Sequence, residues 1–258
     1  CGSCHGYGPP APHPSSKDCR TCHPGTINTS GGIDIAGGLH INGQVEVIPT
    51  SCNSCHGSAA NAAPPQALSG AVETDVTEVG AHQAHLADGS LRAALTCEDC
   101  HVLPQTLGAA GHLDAAPAEL TWGPLSKTED LEPEWDRDAD TCSSTYCHGA
   151  TLSGGSNTAP QWTVVDQGQA ACGTCHGAPP PPPHTDSTDC QSCHPGTMAG
   201  PGVINVAGGL HINGDVEVAG GACGACHGMP PETGSHLIHY QAEDGTASYG
   251  GTGITADL

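Results

Sequence analysis

The chain has 258 residues, with 37 Gly, 22 Pro, no Phe and only 3% aromatic side chains. Glycine and proline at that density break helices and weaken strands, and so few large apolar residues cannot fill an ordinary core. Five basic against 27 acidic residues give a net charge of −22, which excludes nucleic acid and anionic membrane surfaces as partners, and no apolar run approaches the roughly 20 residues of a membrane span.

Composition alone would read as disorder, but the chain also holds 16 Cys and 17 His, and their spacing is regular. In chain order the cysteines pair as Cys1/Cys4, Cys19/Cys22, Cys52/Cys55, Cys97/Cys100, Cys142/Cys147, Cys172/Cys175, Cys190/Cys193 and Cys223/Cys226. A histidine follows the second member every time: His5, His23, His56, His101, His148, His176, His194 and His227. Seven pairs read C-x-x-C-H, and Cys142-Ser-Ser-Thr-Tyr-Cys147-His148 is stretched by two residues, which are expected to bulge outward. A single turn of helix is predicted at each motif. Between the motifs, a short helix is predicted around Gly80 to Leu95, with His82 and His85 on one face. The proline run Ala178 to Pro183 is expected to be extended and to deliver His184, and Gly-Gly-Leu-His-Ile-Asn-Gly is expected to turn and present His211. The Val/Glu alternation at 216–218 reads as a short edge strand. The remainder reads as irregular chain.

C-x-x-C-H is the attachment signature of c-type haem: two thiols form thioethers to the vinyl groups, and the adjacent histidine ligates iron. Zinc sites, disulfide scaffolds and thioredoxin-like pairs also use closely spaced cysteines, but none requires a histidine directly after the second one. Eight haem c groups are therefore expected. Nine histidines remain for the far side of the irons: His13, His40, His82, His85, His112, His184, His211, His236 and His239. Only two methionines exist, Met198 and Met229, so bis-histidine ligation is the expected rule. Such irons have no open position for substrate, which points to electron transfer at low potential rather than catalysis. A multihaem oxidoreductase of the nitrite- or sulfite-reductase kind, an interaction module with structural haems and a soluble periplasmic carrier are the competing readings.

Residues 1–57 and 172–228 align without a gap at an offset of 171, and 34 of the 57 positions are identical. Each copy is a three-haem module, with His13/His184 and His40/His211 in register. Residues 58–171 connect the modules and hold the sites at 97–101 and 142–148, and residues 229–258 form a C-terminal tail. The whole is expected to be a single haem-packed unit, with stacked porphyrins replacing the missing side-chain core and setting the architecture. Sixteen propionates would join the 27 acidic residues, so some carboxylates are expected to be exposed, protonated or bridged by a divalent cation such as Ca²⁺.

The stretch TCSSTYCHGATLSGG, then Trp162, then CGTCHGAPPPPPH resembles the multihaem c-type cytochromes of metal-reducing bacteria of the Geobacter type. GAHQAH at 80–85, the run from Cys97 and GHLDAAPAELTWG at 111–123 are similar to that family as well. The resemblance implies export through the periplasm to the cell surface or beyond, with other cytochromes and extracellular electron acceptors as partners. It also implies that polymerisation into conductive filaments is open to the chain. In the family, GSHLIH at 234–239 would lead into another motif, so a processed product or an incomplete chain is expected. Cys1 cannot also be a lipid anchor if its sulfur carries haem. His236 and His239 repeat the pair His82/His85, and one of them is expected to ligate an iron of the next copy in a head-to-tail assembly.

Overall fold

A computed structural model describes residues 6, 8–10, 13, 17–44, 46–47, 51–114 and 117–219, together with the backbone of 246–249 and 252–255. Cys1, Cys4, His5, Cys223, Cys226, His227, His236 and His239 lie outside the described residues. The described chain is mostly coil and turn, with short helices and two-stranded hairpins, as the composition predicts.

The helices are single turns, and most sit on attachment motifs. These are α1 (Cys19–Cys22) and α3 (Cys190–Cys193), with 3₁₀ turns at Cys52–Ser54, Cys97–Asp99 and Tyr146–His148. The cause is local. The His23 N–H donates to the Cys19 carbonyl at 2.9 Å, the His101 N–H to Cys97 at 2.8 Å and the His194 N–H to Cys190 at 2.8 Å. One helical hydrogen bond therefore spans each of these three motifs and fixes the turn that carries its histidine. Polar residues in front close the turn, as where the Thr96 N–H donates to the Asp99 carboxylate at 2.8 Å.

Among the described residues, three antiparallel hairpins pair β1 (Glu134–Asp136) with β2 (Thr141–Ser143), β3 (Met198–Gly200) with β4 (Val203–Ile204), and β5 (Thr246–Tyr249) with β6 (Thr252–Thr255). In the first hairpin Trp135 lies opposite Cys142, which ties the first thiol of the stretched motif to a strand.

Three local expectations differ. The helix near Gly80 is only five residues, α2 (His82–Leu86), because Ala87 is extended and the Asp88 carboxylate accepts the Ala94 N–H in a loop closure. Residues 216–218 form no strand. The proline run turns instead of extending, with the His184 N–H donating to the Pro181 carbonyl at 3.3 Å.

Contacts divide the chain into two compact units, one of Cys1–Gly89 with Ala93–His176 and one of Ser90–Arg92 with Gly177–Leu258. The boundary falls inside the second copy of the repeat, directly after His176. Among the described residues the buried apolar side chains are Ala63, Ala67, Val79 and Met198. So small a set cannot offset the ordering entropy of a chain this long. No described helix is long and apolar enough to cross a membrane.

Candidate haem-attachment sites

Among the described residues, four motif histidines each face one of the spare histidines. Ring centres are 6.3 Å apart for His13 and His23, 6.4 Å for His82 and His101, 6.2 Å for His85 and His148, and 6.3 Å for His184 and His194. The angles between ring planes nevertheless run from 7° to 81°. Rings in direct contact change their separation as they tilt from stacked to edge-on. Two imidazoles on one metal do not. With each Nε2 about 2.0 Å from the metal, their centres lie about 6.3 Å apart whatever the angle between planes. The four gaps therefore fit one iron each.

Backbone carbonyls fix the tautomer that this requires. Nδ1 of His23 lies 2.7 Å from the Glu46 carbonyl, that of His194 2.7 Å from Glu217, and that of His101 2.9 Å from Glu119. His82 pairs with Val79, His85 with Ala81 and His184 with Thr185 in the same way. His56, His112 and His211 use the carbonyls of Ala62, Leu107 and Leu91. A carbonyl only accepts, so Nδ1 carries the proton and Nε2 keeps its lone pair. This is how metal-ligating histidines are oriented from behind. Burial, opposed by the Val79 carbonyl and reinforced by the charges of His101 and His85, holds His82 below the ordinary imidazole range, which favours the neutral form.

Neighbouring motifs are in close contact. Burial pushes the Cys55 thiol up, helped by the charge and hydrogen bond of Cys22. Burial pushes Cys142 up to about 12, with Cys100 adding to it. Neither is placed to act as a reactive thiolate. The stretched motif packs on the motif that follows: Gly149 has φ 79°, and a Cβ there would come within 2.2 Å of the Cys175 carbonyl oxygen. Gly155 leaves the same kind of room, and the Asn157 N–H donates to the Thr174 carbonyl at 2.8 Å. The additional residues of the stretched motif do not both bulge outward. Ser144 is exposed with φ 54°, but Thr145 is buried. The hydroxyls of Thr145 and Thr151 are buried without a hydrogen-bond partner, as polar groups next to an additional bound group would be.

The family described as the Geobacter CxxxxCH...CXXCH motif matches residues 141–176. The match supports covalent haem attachment at that segment. The segment runs from β2 through Trp162 to His176, the stretch that the glycine contacts hold together. The match supports a multihaem c-type cytochrome, and electron transfer as its general function. No curated protein and no solved structure matches the chain.

The structure brings His13, His82, His85 and His184 to motif histidines. His112 and His211 hold the ligand tautomer, and His40 is exposed in a turn. Two kinds of functional residue were missed. One is the set of carbonyls behind the rings: residues 216–218 read as a strand, whereas Glu46 and Glu217 serve His23 and His194 from equivalent positions in the two modules. Recurrence of the segment at the same distance from each motif was the available signal. The other is Trp162, which sits against both histidines of α2. Among the described residues, no group of three or more His, Cys, Asp or Glu side chains is arranged to hold a metal ion by itself.

Proposed function

We propose that the chain is an octahaem electron conduit in which each iron is held between two imidazoles. The observation that carries this reading is the set of four histidine pairs, each joining a motif histidine to a spare one at a single separation. Bound haem supplies the one-electron iron couple. Two imidazole ligands would saturate that iron and favour a lower potential than methionine ligation. Carbonyls behind the rings keep both ligands in place whichever oxidation state is present. The route between haems follows from the packing of motifs. The Cys22 thiol lies beside Cys55, and Cys100 beside Cys142, while α2 carries ligands for two neighbouring irons three residues apart.

The conduit acts at the cell surface or beyond it, passing electrons to other cytochromes and external acceptors. It assembles head to tail, with His236 or His239 ligating an iron of the next copy. Support comes from the duplicated module, from nine spare histidines for eight motifs and from the match to the Geobacter motif. Intact mass of the purified protein should exceed the polypeptide by eight haems, and the oxidised spectrum should be low-spin throughout. A smaller haem count or a stoichiometric high-spin band refutes the bis-histidine conduit. Electron micrographs of H236A and H239A test assembly separately: filaments of undiminished length in both variants refute the shared ligand.

A further inference from the structure

The four histidine pairs share a separation but not an orientation. Ring planes are 7° apart for His13 and His23, 9° for His184 and His194, and 19° for His82 and His101. His85 and His148, the pair of the stretched motif, are 81° apart. His85 and His82 leave the same short helix with the same kind of Nδ1 contact, so the helix does not account for the difference.

Trp162 distinguishes the two ligands. Its ring centre lies 5.4 Å from His85 with the planes only 31° apart, so the imidazole lies along the indole face. It meets His82 edge-on, at 4.8 Å and 83°. The indole is anchored on several sides. Its Nε1–H donates to the Thr77 carbonyl at 2.9 Å, its backbone N–H donates to the Asp140 carbonyl at 2.6 Å, and Trp135 packs edge-on against it at 6.4 Å. Gly80, with φ 42°, gives it room: a Cβ at that position would lie 1.8 Å from the indole nitrogen.

We propose that Trp162 is a positioning residue that holds His85 across His148, giving the iron of the stretched motif crossed imidazole planes and an electronic state distinct from that of its parallel neighbours. The inference rests on the bis-histidine reading above. Parallel imidazoles overlap the same iron π-symmetry orbital and split it from its partner. Crossed imidazoles overlap one orbital each and leave the two nearly degenerate. Ring orientation is thus a lever on the iron that the protein exerts through groups behind the ligand. The chain uses it at the one attachment site whose spacing also departs from the rule.

Electron paramagnetic resonance of the frozen, oxidised holoprotein reads this directly. Parallel pairs give ordinary three-line rhombic signals, whereas a crossed pair gives a strongly anisotropic signal with one dominant low-field feature. The wild type should show that feature. H85A should lose it and gain a high-spin signal, and H13A should keep it. W162F, which retains a ring face, should retain it, and W162A should lose or displace it. If W162A does not accumulate, G80A displaces the indole and should give the same loss. Haem content by mass is measured on the same samples. A fully loaded, low-spin wild type without the low-field feature overturns the crossed geometry, and so does H85A that keeps it. An unchanged feature in W162A, or in G80A where that variant is used instead, overturns the role of Trp162. Missing haems or high-spin iron in the wild type would instead overturn the bis-histidine reading itself.

Discussion

Replacing Gly149 with Ala should destabilise the segment that carries the stretched motif, and two other glycines make the size of the effect calculable. Gly149 follows His148 and adopts φ 79°, where an L side chain costs about 1–2 kcal/mol. Its Cβ would also lie 2.2 Å from the Cys175 oxygen, a backbone atom of the next motif that has no rotamer to escape into. Forcing that carbonyl away adds a further cost, on the order of 1–3 kcal/mol, comparable with overpacking a core. Gly168 has φ 81° with nothing within 4 Å of its Cβ position, so G168A carries the backbone cost alone. Gly200 has open space and no positive φ, so G200A should be close to neutral. Guanidinium unfolding of the three holoproteins, followed by the haem absorption band, should rank G149A below G168A and G168A below G200A. G149A should lie about 2–5 kcal/mol below the wild type. Equal midpoints for G149A and G168A would refute the close packing of Gly149 on Cys175.

The duplicated pairs His13/His23 and His184/His194 should respond alike: H13A and H184A should each convert one haem equivalent to high spin, measured by the ferric charge-transfer band, and a silent variant would remove that pair from the ligand set. Burial holds His82 below the ordinary imidazole value near 6.5, and an iron on its Nε2 would compete with the proton in the same direction, so the neutral ligand form should persist below that value. The low-spin spectrum of the holoprotein should therefore be unchanged from about pH 8 to 6, and a high-spin band growing in over that range would count against this. With 27 acidic residues and the haem propionates on one chain, haem potentials should shift with pH and with Ca²⁺. Potentiometric titration with and without chelator tests this, and potentials insensitive to both would refute the crowding of charge.

Chemistry was legible in the sequence because covalent attachment is a local event. Two thiols and the next histidine must meet one ring within a single turn, so spacing alone marks all eight motifs, and the repeat marks the modules. The absence of Phe and the excess of Gly and Pro likewise determine a chain of turns without a side-chain core, which is what the hairpins and single-turn helices show. The second ligand is a different matter. His13 precedes its motif partner by 10 residues but His85 precedes His148 by 63, and no local rule connects such distances. Only the folded chain places a spare imidazole opposite a motif histidine, as it does for His13, His82, His85 and His184, because the pairing depends on where loops return. The tautomer is equally non-local, since His101 takes its orientation from the carbonyl of Glu119, whose side chain is irrelevant to the contact. Carbonyls belong to every residue, so a sequence cannot single one out. The angle between two ring planes depends on packing from several segments at once, here Thr77, Gly80, Trp135 and Asp140 around Trp162, and for that reason it belongs to the tertiary structure alone.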